Sequence, residues 1–144
     1  MAHSKPVIDM ANIAYFEIPA DDMERAKKFY KTVFGWDIRR IPMEGVPPDY
    51  QSVMTGDAVT IKGPNYEMSQ LNSGGMMKRA FPEQKITNYV QVESLEDALN
   101  IVKENGGKQF RDTVNIPNVG RITIIEDTEG NLLGLWQPVK PEQG

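Results

Sequence analysis

The sequence predicts an α+β fold: two tandem βαβββ modules that set their strands side by side in an open, curved mixed sheet with the helices outside. Three observations predict it. First, a stretch that alternates like a strand passes into one with helical spacing, and this happens twice. Second, "YFEIPADDMERAKKFYKTVFG" and "YVQVESLEDALNIVKENGG" superimpose with a two-residue difference in the strand–helix loop. Met23 then falls on Leu95, Ala26 on Ala98 and Gly35 on Gly107. Third, strand-like segments follow each unit, so each reads strand–helix–strand–strand–strand. One helix covers one face of such a unit, and two units side by side leave a concave cleft inside.

The first module spans 11–79 and the second 86–138, within one domain of 144 residues; 1–10 and 139–144 are tails. Ile13–Ile18 alternates, with Ile13, Tyr15 and Glu17 on one face, and Pro19 is expected to stop it. Asp21 or Asp22 caps a helix on which Met23, Ala26, Phe29, Tyr30 and Val33 recur at helical spacing, and Gly35 ends it. Trp36–Ile41 and Tyr50–Met54 read as strands around the proline-rich loop "PMEGVPPDY". Residues 55–73 hold "AVTIKG", read as a strand, and otherwise a long loop; "GGMMKR" (Gly74–Arg79) is the next strand.

The second module repeats the plan. Ile86–Val92 alternates, with Thr87, Tyr89 and Gln91 on one face. Ser94 caps a helix with Asp97 three residues on and a stripe of Leu95, Ala98, Leu99 and Val102. Asn105-Gly106-Gly107 ends it. Strands are expected at Lys108–Ile116, Arg121–Glu126 and Asn131–Gln137, with "IPNVG" and "DTEG" as turns.

Composition narrows the function. There are no cysteines, which excludes disulfides, thiolate metal sites and a cysteine nucleophile and suits a reducing cytoplasm. No apolar run reaches membrane-spanning length, and "MAHSKPVIDMAN" lacks the apolar segment of a secretory signal. A formal net charge of −4 is not the basic footprint of a nucleic-acid binder. The mild acidity suits a cationic ligand, or serves solubility alone. Serine and threonine have no His–Asp partner for nucleophilic hydrolysis, and no phosphate loop appears.

"FEIPADDMERAKKFYKTVFGW", "GRITIIEDTEGNLLGLWQP", "GGMMKR" and "LEDALNIVKENGGK" together resemble the glyoxalase/bleomycin-resistance/dioxygenase (vicinal oxygen chelate) superfamily over roughly residues 11–138. The resemblance implies a paired βαβββ, barrel-like sheet, one small-molecule cleft and a homodimer. It also implies His or Glu ligands at four inward positions. Here those positions hold Tyr15, Thr87 (or Tyr89), Gly134 and the Gly75–Met77 strand, and the one histidine of the chain is His3. A phenol with its ordinary pKa near 10 is a poor zinc ligand, and glycine offers none. The expectation is a member with no metal and no cofactor.

The inward set expected to touch a ligand is Tyr15, Glu17, Met54, Met77, Thr87, Tyr89, Gln91, Gly134 and Trp136, with Arg79 at the strand end as a fork for a carboxylate. Tyr15, Tyr89 and Trp136 equally fit a hollow filled as core. Glu17 is the candidate catalytic group, a carboxylate in an apolar cleft; the alternative is a carboxylate at the strand end, just before Pro19, paired with a lysine or arginine at the rim. Two functions remain in view. One is metal-free binding of a small apolar or cationic molecule. The other is a lyase or isomerase that uses a carboxylate or tyrosine for proton transfer. Neither reading includes a nucleic acid or membrane partner.

Overall fold

In the computed structural model of the chain, residues 10–40, 45–56, 62–63, 66–67 and 73–139 are described. His3, most of "AVTIKG" and part of the proline-rich loop lie outside them. In chain order the elements are β1 (Ile13–Ala20), α1 (Met23–Phe34), β2 (Asp37–Arg40), β3 (Gln51–Met54), β4 (Lys62–Gly63), β5 (Tyr66–Glu67), β6 (Ser73–Lys78), β7 (Thr87–Gln91), α2 (Leu95–Glu104), β8 (Lys108–Gln109), β9 (Val114–Ile116), β10 (Gly120–Glu126) and β11 (Leu132–Pro138). The class is α+β, as the repeat predicts, and the chain divides into two compact units, 14–88 and 1–13 with 89–144.

In the unit 14–88, β2 pairs β3 and β3 pairs β6 antiparallel, while β6 pairs β1 in parallel. β4 and β5 form a separate two-stranded ribbon. The apolar face of this sheet gathers Ile18, Ala20, Ile38, Val53 and Met76, against which Phe16, Met23, Ala26, Tyr30 and Trp36 pack. α1 starts where the Asp22 carboxylate accepts from the Arg25 N–H at 3.0 Å. It ends at Gly35, whose φ of 71° lets its N–H reach the Lys31 carbonyl. Beyond it Trp36 stacks on Tyr30 with ring centroids 5.4 Å apart.

In the unit 1–13 with 89–144, β7 pairs β11 in parallel, and β10 pairs β11, β8 and β9 antiparallel. Its core is Val92, Leu95, Ala98, Ile125 and Leu135, with Val90, Leu99, Val102 and Leu133 around them. Ser94 Oγ accepts from the Asp97 N–H, and the Gln137 side-chain carbonyl accepts from the Leu95 N–H at 2.8 Å. Two first-turn donors of α2 are thus satisfied, one by a strand of the sheet the helix covers.

Two boundaries differ from the sequence reading. Pro19 does not stop β1, which continues to Ala20 opposite Lys78. Proline removes a single donor near the strand end, and the ladder closes past it through Arg79 N–H to the Ala20 carbonyl. The expected strand Lys108–Ile116 is broken into β8 and β9. Phe110 and Arg111 both donate to the Ile124 carbonyl, so two residues face one partner, and Thr123 Oγ1 then captures the Arg111 carbonyl.

The same repeat position is buried unequally in the two units. Leu95 is 0% exposed, whereas its counterpart Met23 is half-buried. Leu95→Ala is expected to cost about 3 kcal/mol in urea unfolding, and Met23→Ala about 1 kcal/mol.

Candidate functional site

Alternation fixes which side chains of β1 face away from α1. Phe16, Ile18 and Ala20 belong to the helix-side core, so Tyr15 and Glu17 point the other way. The parallel register sets Glu17 opposite Gly75 and Phe16 opposite Gly74. Neither glycine has room for a side chain. A Cβ on Gly74 would meet the Phe16 ring, and one on Gly75 would meet the hydroxyl ends of Tyr15 and Tyr50. On the face away from α1, two phenols therefore converge over bare backbone.

Glu17 lies beside them, only 8% exposed, and accepts a hydrogen bond from Tyr50 Oη at 3.0 Å. Burial pushes the Tyr50 phenol up from its ordinary value. It stays protonated through the physiological range and acts as a donor.

Tyr50 was not among the residues singled out by sequence. The signal was available: Tyr50, Ser52 and Met54 alternate, so the reasoning that selected Met54 places Tyr50 on the same face. Ser52 pairs with Gly75 and Met54 with Ser73, which sets Met54 farther along that face.

The remaining candidates of this unit have partners of their own. Met77 stands opposite Pro19, and its sulfur accepts from Gln84 Nε2 at 3.6 Å. Arg79 forms an ion pair with Asp21 at 2.9 Å and also donates to the Gln84 backbone carbonyl. The Gln84 side chain accepts from the Ala80 N–H at 2.6 Å, so Arg79 staples the 80–84 turn to the β1–α1 junction. Thr87 is buried and its hydroxyl donates to the Lys85 carbonyl at 3.0 Å.

Tyr89, Gln91, Gly134 and Trp136 gather in the other unit. Gly134 pairs with Tyr89 and Trp136 with Gln91. A Cβ on Gly134 would meet the Tyr89 ring near its root, so the ring lies over the glycine. Trp136 Nε1 donates to the Val119 carbonyl at 3.0 Å, and Gln91 is exposed.

The four positions the resemblance associates with metal ligands thus present a phenol packed beside a second phenol, a threonine hydroxyl bonded to a carbonyl, a glycine under a ring, and Gly75–Met77. This donor set does not fit a borderline metal ion such as zinc. Among the described residues, no three or more His, Cys, Asp or Glu side chains group together, and no helix is long and apolar enough to cross a membrane.

A family model described as bleomycin resistance protein-like N-terminal matches residues 12–46. A glyoxylase-like domain-containing protein of Didymella fabae is 31% identical over 122 residues, 83% of this chain and 88% of that protein. The putative glyoxylase CFP32 of Mycobacterium tuberculosis is 28% identical over 127 residues, 85% of this chain but 44% of that protein's length. Among solved structures, a glyoxalase/bleomycin resistance protein/dioxygenase superfamily member from Vibrio splendidus superimposes with a TM-score of 0.54 at 15% identity, covering 87% of this chain and 97% of that one. At that identity the likeness is one of fold.

Removing the Tyr50 hydroxyl isolates its contribution. Tyr50→Phe is expected to lose about 2 kcal/mol in urea unfolding at neutral pH, since the buried carboxylate loses a donor. The wild-type protein carries a further signature. Folding favours the neutral phenol, so that stabilisation is complete below the ordinary tyrosine value of about 10 and is lost as pH rises above it. Stability measured from pH 9 upwards is expected to fall less steeply in Tyr50→Phe than in the wild type.

Proposed function

Because this chain belongs to the glyoxalase/bleomycin-resistance/dioxygenase superfamily, we propose that it binds a small organic cation, without a metal ion, on the face of β1 and β6 turned away from α1. The observation that carries this reading is the buried Glu17 carboxylate held by Tyr50 beside Tyr15, over the bare backbone of Gly75. A carboxylate shielded from water attracts a cation more strongly than an exposed one, because the screening is weaker. Aromatic faces add cation–π attraction. The thioether of Met77 adapts to varied ligand shapes. On this reading Glu17 is the anchor, Tyr50 orients it, and Tyr15 and Met77 shape the contact surface. Met54, Arg79 and Thr87 lie at the margin of this unit's surface, and Tyr89, Gln91, Gly134 and Trp136 are contact candidates within the other unit.

A second reading keeps the same centre. A carboxylate with a protonated phenol at 3.0 Å is also the equipment of proton transfer, with Glu17 as base and the phenol as donor. It is favoured if turnover of a carbon acid is found and disappears in Glu17→Gln. The protein acts in the cytoplasm on either reading.

The test is thermal stabilisation by benzyltrimethylammonium, spermidine and benzoate. Ligands that bind only the folded state stabilise it by RT times the logarithm of one plus the ratio of ligand concentration to Kd, and so raise the melting temperature as their concentration rises above Kd. The cations are expected to stabilise the wild type and benzoate not. Glu17→Gln is expected to lose the effect while remaining folded. Equal stabilisation by benzoate contradicts the proposal, as does an unchanged cation effect in Glu17→Gln. So does a stoichiometric metal ion whose removal abolishes binding.

A further inference from the structure

The C-terminal end of α2 combines a conformational need with a chemical weakness. Asn105 alone among the asparagines of this chain is followed by glycine. With no side chain beside it, the glycine nitrogen is open to approach by the asparagine carboxamide, and asparagine is thermolabile by this route. The helix end requires that glycine. Gly106 takes a φ of 91°, its N–H donates to the Lys103 carbonyl at 3.4 Å, and the Gly107 N–H donates to the Val102 carbonyl at 2.9 Å. These paired contacts close the helix in the left-handed region, where a side chain at position 106 would be strained. The residue that ends α2 is therefore the one that leaves Asn105 open to attack.

The same cap restrains the reaction. Asn105 Nδ2 donates to the Ile101 carbonyl at 2.8 Å, which ties the carboxamide to the preceding turn instead of to Gly106. The Gly106 nitrogen is engaged with Lys103. Asn105 and Gly106 are both exposed, in a last turn where opening costs little.

We propose that Asn105 is a site of spontaneous deamidation, gated by opening of the α2 cap. The Gly106 nitrogen attacks Asn105 Cγ and closes a succinimide ring as the Cγ–Nδ2 bond breaks. The Gly106 proton departs with the leaving ammonia. Water then opens the ring, at Cγ to give aspartate or at the backbone carbonyl carbon of Asn105 to give isoaspartate. The net change is water taken up and ammonia released, with no oxidation or reduction. A carboxylate then stands where a donor stood. It has no proton for the Ile101 carbonyl, and its charge meets the negative end of the helix dipole. Isoaspartate also lengthens the backbone just before Gly107, which has no room to shift: a Cβ there would meet Val102 and the Glu126 carbonyl. Because α2 buries Leu95 and Ala98, the change loosens the core of its unit. The site needs neither Glu17 nor Tyr50, so it stands independently of the ligand-binding reading.

The test is warm storage of the full chain in mildly alkaline buffer, folded and in urea, alongside Asn105→Gln. Ion exchange, peptide mass mapping and isoaspartate-specific methylation read the products. The folded wild type is expected to accumulate an acidic species modified at Asn105 ahead of every other asparagine. The reaction is expected to run at least about fivefold faster in urea, where no cap must open first. Asn105→Gln is expected to lose the species, because the longer side chain disfavours the ring. Asn105→Asp carries the product's charge on an unaltered backbone and is expected to melt about 4 °C lower than the wild type. A folded chain that stays unmodified at Asn105 overturns the proposal, as does an acidic species that persists in Asn105→Gln. Equal rates with and without urea overturn the gating, and an unchanged melting temperature in Asn105→Asp overturns the loosening of α2.

Discussion

Two adjacent glycines in β6 set the terms for everything built on the first unit. A strand residue normally sends a side chain to one face, and its neighbour sends one to the other. Gly74 and Gly75 send none. The space left on one face is filled by the Phe16 ring, which joins the core under α1. The space on the other face is filled by the ends of Tyr15 and Tyr50. Glycine in a strand interior is costly in itself, and aromatic cover from a neighbouring strand offsets the loss. Because Tyr50 reaches over Gly75, its hydroxyl arrives within hydrogen-bond distance of Glu17, and the polar centre of the site follows from the missing side chain. The other unit repeats the device with one ring, Tyr89 over Gly134, on its own parallel strand pair.

The repeat explains why two short helices suffice. Each covers one face of its sheet, and each is capped by a side chain that the sequence already displays, Asp22 and Ser94. The helices then diverge. α2 is fastened by Gln137 and buries a leucine and an alanine, while α1 leans on a half-exposed aromatic group in which Tyr30, Phe34 and Trp36 pack ring on ring. A flat aromatic cluster at a sheet edge holds its shape with one side open to solvent or to a neighbouring molecule. Two copies of one supersecondary plan thus carry different surfaces.

Much of this was legible from residue order because the relevant physics is local. Alternation placed Tyr15 and Glu17 on one face and Phe16 and Ile18 on the other. Helical spacing placed Met23, Ala26, Phe29, Tyr30 and Val33 on one stripe, of which Met23, Ala26 and Tyr30 pack against the core while Phe29 and Val33 stay more than half exposed. The errors have tertiary causes. Pro19 looked like a stop because proline lacks a donor, but only one rung of the ladder was at stake. Lys108–Ile116 looked continuous because nothing in its composition announces that Phe110 and Arg111 share a carbonyl. Tyr50 escaped notice because its importance comes from Gly75, which is 25 positions away in the chain and comes beside it only through the pairing of β3 with β6. The partners of Arg79, Asp21 and Gln84, were not legible either, because only folding brings them near.

The central claim is that Tyr50 occupies the place a side chain at position 75 would need. A double-mutant cycle in urea unfolding tests it, using Gly75→Ala, Tyr50→Ala and the combination. The account predicts that Gly75→Ala costs about 2 kcal/mol in the wild type, as overpacking does. It predicts a cost smaller by about 1 kcal/mol or more when Tyr50 is already alanine, the coupling expected of residues in contact. Equal costs in both backgrounds would mean that the phenol does not lie over Gly75, and would contradict the site as described.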